Sequence, residues 1–496
     1  MKKKALIAVL LLVLLVGGMS IITSVERSKS RKALTAYKAQ LRSQGEKLTF
    51  EEAGYPFPLE TNANLENFAV LADRLGTKSS IPANLDHMQL SVPGRAVVPW
   101  MASNPPCTRG QNANAQQPTW DELAADCDSA AATLAELRAE LEHPPRYFGW
   151  NYTNLFSSTP KNPFVQKRKA AQFLVADSLA ALHEHQLPRA QADLHAMTQL
   201  AQVHRSDVTL VSAMIRVAIS GLGLAATWEA LPAEGWDEPG LLALQRDWEA
   251  IDLAEVLETG FVGERLFGQH AFALIRKSDL DDQSKKMSSG WGSRSKPGLV
   301  GLRDELMSKG AVLYWRGHID EDELFYLHDS QARVEAIRKL KSNTSGVALQ
   351  LEMKAQLKEI ERVMDSPLGK YRHLFSAIAI PNFSRAFQSA VRSETQRRMT
   401  ITAIALKRFH LRNARYPGAL SELVPQFLAV ELMDPWSGKP FHYRLNEDGT
   451  FTLYSVGEDG RDDGGDPAPA KSTNAPPDMW TGKDAIWPTP VFPAAQ

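Results

Sequence analysis

The sequence predicts a mainly α-helical protein, with a membrane-spanning helix at its N-terminus and a small α+β module at its C-terminus. Three observations support this fold class. Residues 5–25 form an apolar run without a charged side chain. Apolar residues recur at helical spacing through much of the middle of the chain, in segments joined by short turns. Residues 441–455 alternate apolar and polar side chains around the turn sequence NEDG, which is typical of a β-hairpin.

Length and composition are those of a globular protein with a sizeable core. The chain has 496 residues, of which 44% are hydrophobic and 23% are charged, so two or three domains are expected. The formal net charge of −1 argues against nucleic acid as a partner, because nucleic-acid-binding proteins carry a clustered basic excess. Basic residues cluster at 167–169 and 397–398, and nearby acidic residues favour solvated helix faces at both places.

The N-terminal run is long enough to cross a bilayer as a helix, with about 21 residues at ~1.5 Å each. The alternative is a cleaved signal peptide with an apolar core at 5–16 and cleavage near Gly18 or Ser20. Hydrophobicity continues to Val25, which favours an uncleaved anchor. Basic residues lie on both sides of the run, so the positive-inside rule does not determine the orientation. We expect a single-pass inner-membrane protein, anchored through residues 5–25, with its bulk outside the cytoplasm.

The two cysteines, Cys107 and Cys127, are compatible with an oxidising compartment. A disulfide between them would close a loop of about 20 residues and add ~3 kcal/mol of stability. Two separate thiols are the other interpretation, and the sequence leaves both open.

Several helices are predicted between the anchor and the C-terminal module. Residues 26–46 predict a helix that ends near Gly45, and the sequence TWDE at 119–122 forms a capping box that opens a helix through about Glu142. A turn at Leu187-Pro188 joins two further helices into a helical hairpin.

Residues 208–231 are apolar enough to be considered as a second membrane span. Arg216 lies within this stretch, and Thr, Ser and Gly dilute it, so a buried helix of a soluble domain is the better interpretation. A polar stretch rich in Gly, Ser and Lys follows at 278–297.

Changes in composition divide the chain into four regions. We expect an anchor or signal segment at 1–26, a helical and irregular region at 27–160, a helical-hairpin domain at 161–379 and the C-terminal module at 380–496. A long helix is predicted from Phe383 to Asn413, with a buried stripe formed by Ile401, Ile404, Ala405 and Phe409.

An acidic loop, YSVGEDGRDDGGDP at 454–467, leaves the second strand of the predicted hairpin. Clustered carboxylates among glycines suit calcium, which takes roughly six to eight oxygen ligands from flexible groups. The loop is not an EF-hand, because the aspartate spacing differs and the twelfth position counted from Asp459 is Ala470. A solvated acidic turn is the other interpretation.

Four pieces of the C-terminal region resemble the head of type II secretion major pseudopilins. They are ALKRFHLRNARYP (405–417), ALSELVP (419–425), DPWSGKPFHY (434–443) and LYSVGEDGRDDGG (453–465). The resemblance covers about residues 395–486. It implies a small α+β head in which the loop after the last strand binds calcium.

The resemblance also implies which residues would hold the calcium ion. Asp459 matches the aspartate of the family's D-G pair, Asp484 matches a later acidic position, and Val456 would contribute its carbonyl. Further candidates, supported by chemistry alone, lie in the variable acidic part of the loop: Asp462, Asp463 and Asp466.

The N-terminus departs from the pseudopilin pattern. The prepilin peptidase site is absent, because Gly18 lies inside the apolar run and the fifth residue after it is Thr23 instead of Glu. Fibre assembly is therefore not implied. The overall layout resembles large uncharacterised anchored proteins of planctomycete or verrucomicrobial type that share this C-terminal module.

The sequence contains no recognisable catalytic signature. His183, His185 and His195 lie close together, but the His-x-His spacing on a helix points two rings apart, and HExxH is absent. We therefore expect an envelope interaction or scaffold protein with protein partners. The alternative is an exported hydrolase with an unrecognised site in the helical domain, which a cleft of converging acids or histidines would favour.

Overall fold

The structure is a computed structural model, and it describes residues 24–55, 63–76, 78, 80–81, 90–105, 118–145, 163–278, 299–380, 383–469 and 478–492. Most of these residues are helical and the strands are short, which confirms the mainly helical fold class with small sheets. Residues 1–23, Cys107 and the stretch 279–298 lie outside the described ranges, so the membrane anchor stays a prediction.

The helices are numbered in chain order over the described ranges. They are α1 (24–43), α2 (Ala63–Arg74), α3 (Trp120–Ser129), α4 (Ala131–Leu141), α5 (Phe164–His183), α6 (Leu187–Leu200), α7 (Leu210–Ala230), α8 (Glu238–Glu249), α9 (Leu253–Lys277), α10 (Leu299–Lys341), α11 (Gly346–Asp365), α12 (Gly369–Arg372), α13 (Leu374–Ala379) and α14 (Phe383–Asn413). Short 3-10 turns lie at Pro99–Met101, Leu420–Leu423 and Gly457–Asp459.

The strands form two small sheets of three strands each in the described part of the chain. In the first, β1 (Leu90–Val92) pairs antiparallel with β2 (Arg95–Val97), and β2 pairs parallel with β6 (Thr489–Val491). In the second, β3 (His442–Leu445) pairs antiparallel with β4 (Phe451–Ser455), which also pairs with β5 (Ala485–Ile486). Tyr443 lies opposite Leu453, and Leu445 lies opposite Phe451. The predicted hairpin is therefore present with its apolar residues on one face.

The chain forms two compact units made of interleaved stretches. Unit 1 combines Met1–Pro56, Phe261–Glu335 and Glu352–Ser384, and unit 2 combines Phe57–Gly260, Ala336–Leu351 and Arg385–Gln496. The regions expected from the sequence were contiguous, whereas each unit draws on three separate stretches.

Unit 2 has a continuous apolar core to which helices α2–α8, helix α14 and the C-terminal strands all contribute. The α5–α6 hairpin is present, and its turn holds His185 at φ +59°. Helix α14 has the predicted bounds. Its stripe is buried as expected: Ile401, Ile404, Ala405 and Phe409 are all 5% exposed or less.

Helix α3 begins with the predicted capping box. The Thr119 side chain accepts from the Glu122 amide, and the Glu122 carboxylate accepts from the Thr119 amide. The predicted helix does not continue unbroken to Glu142, because α3 ends at Ser129 and α4 begins after Ala130.

Helix α7 is long and apolar enough to cross a membrane by length and composition, and 72% of its apolar window is buried inside the structure. Arg216 donates from Nε to the Ala201 carbonyl over 2.8 Å. The protein interior thus provides an acceptor for the guanidinium group, which would be costly to place in the hydrocarbon region of a bilayer. These properties also suit a core helix of a soluble domain, in agreement with the sequence-based interpretation.

The expectation of solvated basic clusters is wrong at two positions. Lys167 is fully buried and donates from Nζ to the Val203 carbonyl over 3.0 Å. Arg397 is also buried, pairs with Glu394 and donates to the Trp248 carbonyl over 2.8 Å. The acceptors on Val203 and Trp248 belong to other parts of the fold, and local composition does not reveal them.

Unit 1 holds a smaller apolar core and a group of buried charges. The core includes Phe272, Trp315 and Tyr326. Four consecutive acids follow in α10, of which Asp320, Asp322 and Glu323 are buried. Trp315 donates from Nε1 to Asp322 over 2.6 Å, and the Phe375 amide donates to it over 2.9 Å. Burial raises the pKa of Asp322 to about 6.

Candidate functional site

The acidic loop follows β4 and is shaped by glycines in the left-handed region. Gly457, Gly460, Gly464 and Gly465 have φ between +67° and +78°, a conformation that costs glycine little. These residues turn the backbone sharply, and the amides of Asp463, Gly465 and Asp466 point toward the inside of the loop.

Asp484 lies at the centre of this loop. The residue is 1% exposed, and its carboxylate accepts from the amides of Asp463 over 3.1 Å, Gly465 over 2.8 Å and Asp466 over 3.3 Å. Burial raises the pKa of Asp484, and the three amide donors oppose that change. The structure thus places Asp484 at the loop as an acceptor for backbone N–H groups, and its role as a calcium ligand stays a prediction.

The other predicted calcium ligands have separate partners. Asp459 accepts from the Arg461 amide over 3.0 Å. Asp462 accepts from the Tyr454 hydroxyl over 3.0 Å, and Asp466 accepts from Lys483 Nζ over 2.6 Å. The Asp463 side chain is exposed. The Gly464 amide, which donates to Asp462 over 2.9 Å, and the Tyr454 hydroxyl lower the pKa of Asp462, and the hydrogen bond from Lys483 lowers the pKa of Asp466.

Val456 lies on the strand side of the loop. Its amide donates to Asp434 over 3.3 Å. Asp434 is fully buried and also accepts from the Trp436 amide over 3.0 Å and the Ser455 hydroxyl over 2.8 Å. It ties the DPW turn to the end of β4. The turn was recognisable in the sequence, but the anchoring role of its aspartate was not.

The loop in this conformation does not fit a calcium ion. Calcium needs several oxygens directed at one point. Within the described ranges, no three His, Cys, Asp or Glu side chains are grouped to hold a metal. The loop amides and Lys483 instead direct N–H groups at the carboxylates. Calcium binding stays a prediction, and it would require the loop to rearrange.

Two of the histidines of the helical hairpin, His183 and His195, have different surroundings, and His185 lies in the turn between the helices. His183 Nδ1 lies 2.7 Å from the Trp100 carbonyl oxygen, and its ring stacks on Trp120. His195 Nδ1 lies 2.8 Å from an Asp247 oxygen, and Nε2 lies 3.6 Å from a Glu142 oxygen.

The setting of His195 has two further consequences. The hydrogen bond to Asp247 raises the pKa of His195. A polar cavity of ≈ 530 Å³ adjoins the site and is lined in part by Glu142, Arg205 and Asp247.

Cys127 is fully buried in α3, and burial raises the pKa of its thiol. Its predicted partner, Cys107, lies outside the described residues. The disulfide therefore stays a prediction.

A groove of ≈ 550 Å³ in unit 2 was not expected from the sequence. Its walls come from residues 231–236 after α7, the C-terminal half of α14, the start of β4 and the segment 487–492. We call it the aromatic groove, because its lining includes Trp236, Tyr416, Phe451, Trp487 and Phe492.

Two apolar side chains of the aromatic groove are open to solvent. Leu411 is 47% exposed and Phe492 is 53% exposed. Because solvent-exposed apolar groups clustered in a concave site mark places where another molecule binds, this groove is a candidate binding site.

Lys407 supplies a charge in this apolar setting. Its Nζ donates to the Leu231 carbonyl and, over 3.3 Å, to the Ala233 carbonyl. Burial lowers the pKa of Lys407 to about 8. The sequence did not single out Lys407, and only its position in ALKRFHLRNARYP, on the helix of the C-terminal module, could have drawn attention to it.

Comparison with known proteins gives no relative for this chain. No protein-family model, no curated protein and no solved structure matches it.

Proposed function

We propose that this protein is a single-pass, membrane-anchored interaction protein of the bacterial envelope, with its bulk outside the cytoplasm. The uncharged run at 5–25 supports the anchor, and α1 begins at residue 24, at the end of that run. The aromatic groove is the observation that carries the interaction role.

The aromatic groove has the properties of a protein docking site. Its volume of ≈ 550 Å³ accommodates a few side chains. Tryptophan and tyrosine, which dominate the energetics of protein interfaces, line its walls. Exposure of Phe492 and Leu411 is unfavourable in water and would be relieved by an apolar segment of a partner protein.

We also propose that residues 380–496 form a pseudopilin-like module. The order of a long helix, a 3-10 turn, a β-hairpin and a glycine-rich acidic loop supports it. This proposal does not include fibre assembly, because the chain lacks the prepilin peptidase site.

Site-specific photo-crosslinking in native membranes tests the interaction role. A photoreactive phenylalanine at position 411 or 492 is expected to give the same discrete adduct. Placed at Val430, which is 65% exposed and outside the groove, it is expected to give none. Adducts of the same pattern at all three positions, or none at any, would contradict the proposal.

Retention of the chain in carbonate-washed membranes tests the anchor.

A second candidate function, an exported hydrolase, is favoured by the surroundings of His195. Asp247 orients the ring, and a polar cavity adjoins the site, so His195 could act as a general base toward a water molecule. Purified protein would then hydrolyse nitrophenyl esters, with loss of activity in His195→Gln. Rates equal to buffer for both proteins would exclude this activity.

A further inference from the structure

We infer that the aromatic groove recognises a carboxylate beside an apolar side chain, and that Lys407 is the residue that binds this carboxylate. The occupant is an acidic–apolar segment of the partner protein. This inference rests on the interaction role proposed above and specifies the chemistry of the partner.

Lys407 is a cation among largely apolar residues that line the aromatic groove. The ammonium group is partly removed from water, and no ion pair joins it to a carboxylate in the described part of the chain. Its hydrogen-bond acceptors are the carbonyls of Leu231 and Ala233. A charge that is withdrawn from water is stabilised by an opposite charge, so this cation favours an anionic ligand.

Two backbone carbonyls use only part of the hydrogen-bonding capacity of Lys407. An ammonium group has three N–H donors, and two acceptors occupy the inner side of Lys407. The remaining donor is available to a ligand in the groove that Lys407 lines. Glu234, the acidic residue of the described lining, has an exposed side chain, so its carboxylate is already solvated and does not fill this position.

The lining around Lys407 determines which apolar groups a ligand can carry. The indole N–H of Trp236 is already used, since it donates to the Ala230 carbonyl over 2.9 Å. Part of the lining, including Phe492 and Leu411 at its exposed part, offers ring faces and aliphatic groups to a ligand. A ligand that fits must place apolar groups against these walls and a carboxylate at the amine.

A purely structural role for Lys407 is the competing explanation. The two carbonyls belong to the end of α7 and the loop after it, where a cation stabilises the helix terminus. In that case Lys407→Met would change the stability of the protein but not its preference between charged and neutral ligands.

The test measures that preference directly. Phenylbutyrate carries the proposed chemistry in minimal form, and phenylbutanol is its neutral counterpart. Both are titrated by calorimetry into the full chain in nanodiscs, with empty nanodiscs as the reference. We expect phenylbutyrate to bind about tenfold more tightly, the equivalent of one charge-assisted hydrogen bond.

Variants separate recognition from folding. Lys407→Met is expected to bind the two probes equally, while Lys407→Arg keeps the preference. Lys439→Met, at an exposed lysine of the same unit, is expected to behave as the native protein. Equal binding of both probes to native protein, no binding of either, or an unchanged preference in Lys407→Met would overturn the inference. Because photo-crosslinking at 411 and 492 is read separately, the interaction role can stand if the carboxylate preference fails.

Discussion

At the scale of single residues, Asp484 shows how one carboxylate can organise an irregular loop. Three amides converge on it from residues 463–466, although about 20 residues of sequence separate them from it. Irregular backbone that is partly buried must still satisfy its N–H groups, and Asp484 does so for this stretch.

Asp484→Asn is expected to destabilise the protein by about 1–3 kcal/mol, because an amide nitrogen would face N–H groups that now have an acceptor. Urea unfolding followed by tryptophan fluorescence measures the change. Asp463→Asn, at an exposed side chain of the same loop, is the control and should change stability little.

The same unfolding experiment tests calcium. If the hydrogen bonds to Asp484 alone stabilise the loop, Asp484→Asn lowers the free energy of unfolding by the same amount with calcium and with EDTA. Stabilisation of the native protein by calcium, absent in Asp484→Asn, would instead show that the loop rearranges around an ion.

The His195–Asp247 pair predicts a pH dependence. Because the hydrogen bond to Asp247 raises the pKa of His195, the folded state binds its proton more tightly than the unfolded state. The stability gained from the pair is full below the unfolded pKa of ~6.5 and is lost as pH rises through the higher folded value.

Because the His195–Asp247 pair is partly exposed, the stability that it loses between about pH 6 and pH 9 should be below about 1 kcal/mol. Glu142, which also faces the ring, adds to it. The measurement is the free energy of unfolding of native protein and of Asp247→Asn at both pH values. An equal pH dependence in the two proteins would contradict the prediction.

Residue chemistry was only partly predictable from the sequence. The acidic loop and its position after β4 followed from local pattern, because aspartates and glycines cluster there. The donors that each aspartate meets did not, since Tyr454, Lys483 and the loop amides are placed by tertiary structure. For the same reason Lys167 and Arg397 were expected in solvent and are buried.

At the scale of elements, the bounds of α14 and the hairpin β3–β4 were predictable because both have a strong period and clear turn residues. The break between α3 and α4 at Ala130 was not, because no Gly or Pro marks it. Helix α7 shows a third case, because it carries two glycines, Gly221 and Gly223, at which a neighbouring helix could approach closely.

Only one of these two glycines makes that contact. A Cβ at Gly223 would stand 3.0 Å from a ring carbon of Trp248, whereas a Cβ at Gly221 would meet nothing within 4 Å. Trp248 is fully buried and donates from Nε1 to Thr227 over 3.0 Å, so it cannot easily move away.

We therefore expect opposite results for the two alanine variants. Gly221→Ala should raise the free energy of unfolding by up to about 1 kcal/mol, because alanine favours the helix. The free energy of unfolding of Gly223→Ala should be at least about 1 kcal/mol lower than that of Gly221→Ala, because overpacking against Trp248 offsets the gain in helix propensity. Thermal and urea unfolding of both variants give the comparison, and equal stability would show that Trp248 adjusts without cost.

At the scale of the molecule, the C-terminal module is part of the core of unit 2. Trp228 in α7 donates to the Pro488 carbonyl over 3.0 Å, and Gln245 in α8 donates to the Phe427 carbonyl over 2.9 Å. Arg408 in α14 pairs with Glu238. These contacts join the module to helices that lie far away in the sequence.

A fragment of residues 380–496 is therefore expected not to fold alone. The apolar stripe of α14 would be exposed in it, because that stripe packs in the same core as α5–α8. Circular dichroism should show no cooperative melting for the fragment and cooperative melting for the full chain. A cooperative transition in the fragment would show that the module is independent.

Interleaving of this kind cannot be read from local patterns. Periodicity indicates which face of a helix is buried, but the partner of that face depends on the path of the whole chain. Within each unit, three stretches that are distant in sequence form one compact unit.

The parallel pairing of β2 with β6 has a consequence for how the protein is made. Residues 489–491 are synthesised only after about 400 further residues have been added to 95–97. While most of the chain is synthesised, β2 therefore has only β1 beside it. If the chain is exported, unit 2 reaches its final sheet only when this last strand has crossed the membrane. A nascent chain stalled before β6 would therefore present an unpaired strand edge, and quality-control proteases and chaperones would encounter it in that state.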